Sequence, residues 1–305
     1  MRGTVAGFLA AGLLVTTATT VLAQDLATAA AAFQATGSGT TAAPAGATQP
    51  APDPPAAKPV TLTVGMDFPT AYMFRGLFQE DQGFIGQPFV DVGIAAAPGV
   101  TINAGLWNSF HSGPSGSGND SIDRSSWYEL DYYASVTFQV GKWKPGALYT
   151  AYTSPNDAFS TVQELAAVVA YDDSGNKVPL NPKAILAFEL DGHADGFGGK
   201  GTYLELGVRP VFPVAPHDKY PLTLAVPAKM GLSLNNYYES AESDDGFGYF
   251  DLGGILSVPL AFMNGKTTWE IHGGVDILWL NGTTKALNGG DGVRTVGVIG
   301  FSMIY

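Results

Sequence analysis

The sequence predicts an all-β fold, a closed antiparallel transmembrane β-barrel of about 12 strands with a disordered N-terminal tether. Three observations carry that expectation. Apolar and polar residues alternate with a period of two from Val60 onward; many of the alternating segments are long, and no helical periodicity interrupts them. The chain also closes on an amphipathic segment whose last residue, Tyr305, is aromatic.

Composition narrows the class. Of 305 residues, 46 % are hydrophobic and 14 % charged, with a mean hydropathy of +0.11. Beyond the N-terminus no apolar run approaches the roughly 20 residues of a spanning helix, which excludes a helical membrane protein. The absence of Cys removes disulfides, thiolate metal sites, a Cys nucleophile and a lipoprotein attachment point. A net charge of −12 argues against nucleic acid as a partner, because phosphates are neutralised by clustered Lys and Arg.

Taken in order, residues 1–23 read as a secretory signal peptide. Arg2 is the charged start, Val5 to Val21 the small apolar segment, and Val21-Leu22-Ala23 the cleavage site. Residues 24–59 are rich in Ala and Pro and hold too few large apolar side chains to offset the entropy of ordering, so a disordered linker is expected. Residues 60–305 form the barrel.

In its first segment Leu62, Val64, Met66, Phe68, Tyr72 and Phe74 share one parity, and Thr61, Thr63, Gly65, Asp67 and Arg75 the other. The split returns in Val90–Ile94 around Asp91, in Val100–Leu106, and most clearly in Tyr128–Val140, where Tyr128 to Phe138 oppose Glu129 and Asp131. Weaker segments follow at Ala147–Tyr152 and Phe159–Tyr171. Further on, Leu186–Leu190 surround Glu189, Leu204–Val208 oppose Glu205 and Arg209, Leu222–Leu234 oppose Lys229, and Phe250–Leu260 oppose Asp251. Thr267–Leu280 is the most informative stretch: Trp269, Ile271, Val275, Ile277 and Trp279 face one way, Glu270, His272, Asp276 and Leu278 the other. At roughly 3.3 Å per residue and a tilt near 45°, its two Trp lie about 23 Å apart along a membrane normal, the height of the apolar band between aromatic girdles. Trp269, Trp279 and Tyr305 are the expected girdle residues. In the last segment Ile299, Phe301, Met303 and Tyr305 share a face, a pattern resembling the signal that outer-membrane barrels present to their assembly machinery.

Connections alternate as well. Ala97-Pro98-Gly99, Lys142–Gly146 and Asn264-Gly265 read as tight periplasmic turns, while Ser112–Ser126, Asp191–Gly201, Glu239–Gly248 and Asn281–Gly292 are longer, polar and Gly-rich, as extracellular loops are. Val64–Ile94, with its aromatic-Arg-Gly element Phe74-Arg75-Gly76, resembles the first hairpin of the TorF-type porin family of bacterial outer membranes. The resemblance covers about thirty residues and implies a passive outer-membrane channel without catalytic residues.

If the Trp-bearing face meets lipid, the other parity lines the lumen. The expected lining is Asp67, Arg75, Asp91, Glu129, Asp131, Glu189, Asp191, Glu205, Arg209, Lys229, Asp251, Glu270, Asp276 and Arg294, an acidic balance that favours cations. The competing expectation is that these charges pair across the lumen and plug it, with Glu205 meeting Arg209 and Asp67 meeting Arg75. Catalysis is not expected: His272 and Asp276 are four residues apart on a strand, about 13 Å, too far for a dyad without a partner from another strand. No metal-ligand spacing, phosphate loop or Gly-x-Ser-x-Gly element occurs, and no cofactor is expected. Expected partners are outer-membrane lipid, the barrel assembly machinery and small solutes or cations. The expected role is passive, porin-like passage in a bacterial outer membrane; a non-conducting structural or adhesive barrel and an outer-membrane hydrolase are the alternatives.

Overall fold

A computed structural model of the protein describes residues 60–116, 124–215, 220–240, 243–260 and 267–305. The expected signal peptide, the linker and the Asn264-Gly265 turn lie outside them. Its strands are β1 (Val60–Pro69), β2 (Tyr72–Phe74), β3 (Leu77–Glu80), β4 (Ile85–Ala97), β5 (Val100–His111), β6 (Trp127–Phe138), β7 (Trp143–Thr153) and β8 (Val162–Tyr171). They continue as β9 (Lys183–Asp191), β10 (Thr202–Val208), β11 (Val211–Ala215), β12 (Leu222–Ala225), β13 (Ala228–Asn235), β14 (Phe247–Leu260), β15 (Thr268–Leu280) and β16 (Val293–Ile304), with one short helix, α1 (Gly282–Leu287), between the last two.

The wall is a closed 12-strand antiparallel barrel. Sequence neighbours pair around the ring, and closure comes from β1 against β16, from Thr63 opposite Ile304 to Pro69 opposite Val298. Leu62 and Tyr305 exchange backbone hydrogen bonds at the seam, so the terminal strand leaves no free edge there. Two wall strands are each written in two pieces. β10 and β11 are separated by Arg209-Pro210, and β12 and β13 by Val226-Pro227, where proline has no N–H to give to the ladder. The ladder is kept through the proline carbonyls: Val226 N–H donates to Pro210 O at 2.9 Å, and Gly253 N–H to Pro227 O at 2.8 Å.

Side-chain facing follows the alternation. In β15, Ile271, Val275 and Trp279 are exposed on the outer wall while Glu270, His272, Asp276 and Leu278 are buried. Trp269 is half-buried on the same outer row and stacks near Phe301 at 6.4 Å. Ile299 and Phe301 are exposed on β16 and Tyr305 just after it, and Val92, Ile94, Ile102, Leu106 and Tyr132 continue the outer apolar surface. This outer surface is greasy and the interior polar, the reverse of a soluble sandwich.

Several details differ from the sequence expectation. Strand β1 ends at Pro69, so Tyr72 and Phe74 do not extend its outer row; both are buried, and residues 70–84 turn into the barrel. Tyr128 is also pulled inward, because a register shift in the β5–β6 pairing between Ser109 and Phe110 disturbs the alternation at the end of β6. Lys142–Gly146 is not a turn throughout, since β7 already begins at Trp143. The connection 172–182 is long although it lies at the same end as the tight 98–99 turn, and the 281–292 connection contains α1.

Candidate functional site: the filled lumen

The segment 70–84 is the organising element of the interior. Strands β2 and β3 pair as a hairpin whose Phe74–Leu77 pair is joined by the two residues Arg75 and Gly76. Both have positive φ, 45° and 84°, the type I′ geometry that matches strand twist. Gly76 suits that position, while Arg75 accepts a left-handed conformation that is uncommon for a long side chain. The hairpin descends from the end of β1, and its tip meets the opposite wall.

There the Arg75 guanidinium meets the Glu164 carboxylate of β8 as a two-pronged pair, Nη1 to Oε1 at 2.7 Å and Nη2 to Oε2 at 2.9 Å. Tyr237 Oη also bonds Nη1, and the guanidinium lies over the Tyr203 ring at 4.2 Å. Tyr152 donates to Glu164 at 3.1 Å, Tyr238 to the Arg75 carbonyl at 3.0 Å, and the Asn288 amide to the Gly76 carbonyl at 2.8 Å. Met73, Phe74 and Leu77 pack with Tyr203, Tyr237, Tyr238 and Tyr249 in one buried cluster. The hairpin thus crosses the barrel and fills it.

The base of the hairpin is tied by a chain of hydrogen bonds. Gln87 donates to Ser109 Oγ (3.2 Å), Ser109 meets His111 Nε2 (2.7 Å), His111 Nδ1 meets Ser115 Oγ (2.6 Å), and Ser115 donates to Glu80 (2.7 Å). Since the Ser115 hydrogen goes to Glu80, His111 carries its proton on Nδ1 and accepts from Ser109 on Nε2. Glu80 also receives the backbone N–H groups of Asp81, Gln82 and Ser115. Burial works against its charged form, but these bonds outweigh burial and hold its pKa below the ordinary carboxylate value.

The residues expected to line the lumen fall into groups. Asp67, Asp91, Glu129, Asp131, Glu189, Glu205, Arg209, Asp251, Glu270 and Asp276 are all turned inward, and none is more than 6 % exposed. Such burial describes a packed interior rather than a wide aqueous bore at their level. Arg75 is inside too, but on the hairpin instead of the wall. Arg294 sits at the rim where the hairpin enters, over the Phe78 ring and paired with Asp81 at 3.3 Å and Asp291 at 3.2 Å. Asp191 ends β9 exposed.

The expected pairings are replaced by others. Asp67 bonds His272 at 2.8 Å, reaching over β16 where Gly300 leaves room; a Cβ on Gly300 would collide with both side chains. Asp251 pairs with Lys229 at 3.6 Å. Glu205 accepts from Tyr203 (2.9 Å) and Tyr249 (3.2 Å), while Arg209 has Glu270 and Asp276 as its electrostatic partners. Asp91 accepts from Asn103 (2.8 Å) and Tyr133 (3.1 Å), Glu129 from Tyr72 (2.7 Å), and Glu189 from the Ala194 (2.7 Å) and Gly201 (2.6 Å) amides. Among the described residues no group of three or more His, Cys, Asp or Glu is placed to hold a metal ion.

Sequence reasoning missed Glu164, the Tyr cluster and the Glu80–His111 chain. The Arg75-Gly76 dipeptide between Phe74 and Leu77 is the available turn signal; nothing local marks Glu164 as its partner.

No family model and no curated protein sequence matches this chain. Among solved structures it is similar to the NanC porin at 12 % identity, covering 79 % of this chain and 98 % of that one, with a TM-score of 0.44. A likeness to an outer membrane channel from Pseudomonas putida F1 has 12 % identity, covers 84 % and 100 %, and has a TM-score of 0.43. The translocator domain of the autotransporter NalP from Neisseria meningitidis follows at 12 % identity, 81 % and 87 % coverage and a TM-score of 0.38. None of these likenesses bears on what this chain carries.

Glu80 gives a pH prediction. Its folded pKa lies below its unfolded value, near 4.3, so its contribution to stability is complete above that value and is lost as pH falls through the lower folded one. Hydrogen-exchange protection at the Asp81, Gln82 and Ser115 amides should be high at neutral pH and decline below about pH 4. In Glu80→Gln it should be low at both; equal wild-type protection at pH 7 and pH 3 would contradict the assignment.

Proposed function

We propose that this chain is a porin-like barrel of a bacterial outer membrane, closed in the conformation described, with a small-cation preference in whatever passage its interior permits. The observation that carries the reading is the pairing of an apolar outer wall with an interior of buried carboxylates crossed by the Arg75 hairpin. The outer row of β15 supplies the lipid-facing surface, with Trp269, Trp279 and Tyr305 as girdle residues, and the closed ladder satisfies the backbone inside hydrocarbon. The termini of the barrel lie at one end, consistent with a signal peptide at 1–23, a linker at 24–59 and docking of the final strand to the assembly machinery. The likeness of Val64–Ile94 to TorF-type porins belongs to this proposal.

Cation preference rests on the surplus of carboxylates over Lys and Arg on the inward faces. Asp67 Oδ2, Glu270 Oε1 and Asp276 Oδ2 are buried without a hydrogen-bond partner among the described residues, an acceptor capacity that small cations and water can use. Because the wall carboxylates are buried, Asp191 at the tip of β9 excepted, a permanently open bore is not supported, and a non-conducting structural barrel is the second reading.

In planar bilayers the full chain should be silent for most of the record and show infrequent steps whose reversal potential favours potassium over chloride. Folded, inserted protein that never conducts would establish the structural reading; constant large steps or chloride preference would overturn the proposal. A second expectation concerns the wall. Val275→Arg, on the outer row, should lower folding stability in phospholipid vesicles by about 2–4 kcal/mol, as a charge near the bilayer midplane does. An unchanged denaturation midpoint would refute the lipid-facing assignment.

A further inference from the structure

We infer that the hairpin of residues 70–84 is a gate, and that the Arg75–Glu164 pair is the latch that keeps it shut; this rests on the closed-barrel reading above. The hairpin is not part of the wall. β1 and β4 pair directly from Val60 opposite Ile94 to Asp67 opposite Gln87, so the ladder is continuous whether or not the intervening residues occupy the lumen. Its two ends leave adjacent strands at one rim, which allows the segment to swing out without breaking the barrel.

The hairpin is held at its base by the Glu80 chain and at its tip by Arg75, where the buried charge lies. The side chains of Arg75 and Glu164 are 9 % and 3 % exposed, and Glu164 is the carboxylate bonded to the guanidinium, with Asp131 the next acidic group in its field. The surrounding phenols of Tyr152, Tyr203 and Tyr237 cannot replace a carboxylate, because a neutral hydroxyl does not balance a guanidinium. Removing the charge of Glu164 strands a cation that cannot deprotonate, whereas removing both charges leaves a neutral pair of similar size. Arg75 also holds a left-handed φ of 45°, a conformation that persists only where its surroundings fix it. Loss of the latch therefore favours hydration of Arg75 at the rim, with the hairpin withdrawn and the acidic wall exposed.

The sequence supplies its own reporter. Between Val60 and Asp123 the only Lys or Arg is Arg75, so trypsin cuts this stretch there or nowhere. In protein folded into detergent or vesicles, Arg75 in the wild type should resist trypsin, and Glu164→Gln should be cleaved after Arg75 at least tenfold faster. In planar bilayers Glu164→Gln should raise the open fraction by a similar factor, the double variant Arg75→Gln/Glu164→Gln should return it towards wild type, and a barrel with residues 72–80 removed should conduct persistently. Equal protection of Arg75 in wild type and Glu164→Gln overturns the latch, even if the shortened barrel conducts and the porin-like reading stands. A shortened barrel that folds and stays silent overturns the gate and, with it, conduction through this lumen.

Discussion

A guanidinium placed in the middle of a barrel must be neutralised where it lies, because it cannot lose its proton and the packed interior offers little water. Arg75 meets that requirement through Glu164, and the geometry of the two fixes much else. It sets how deep the hairpin reaches, which tyrosines gather around its tip, and why Asn288 and Tyr238 close on the Gly76 and Arg75 carbonyls. The filled lumen follows from one charge pair and the apolar side chains it brings along.

The rest of the interior obeys the same rule with different partners. Most inward carboxylates are placed against a cation, a phenol, an amide or a histidine, along the strand for Glu205 with Tyr203 and across strands for Asp67 with His272 and Asp251 with Lys229. Asp67 and His272 meet over Gly300, which is possible because that β16 position carries no Cβ. The Glu80, Ser115, His111 and Ser109 chain does for the hairpin base what Glu164 does for its tip. An acidic interior is thereby compatible with a compact one, and with a preference for cations wherever acceptor atoms remain unsatisfied.

The wall was legible residue by residue. Trp269 to Trp279 on the outer row, Glu270 to Asp276 on the inner, and the terminal Ile299–Tyr305 row all lie on the faces their alternation assigns. Exceptions occur where the ladder is irregular or ends: Tyr128 beside a register shift, Tyr72 and Phe74 beyond Pro69, and Asp191 at the tip of β9. In those places the period of two stops being enforced by hydrogen-bonded neighbours, so counting residues no longer gives the face.

The sequence by itself determined the strand-rich barrel and, where the ladder is regular, the side of the wall a strand residue occupies, since both follow from a local repeat and from backbone groups that closure must satisfy. Only the tertiary structure decided that residues 70–84 turn inward and that Arg75 belongs to Glu164, eighty-nine positions away. Partnerships of that kind depend on the curvature of the closed sheet and on which strands face each other across it, and neither is written in the spacing of any one segment.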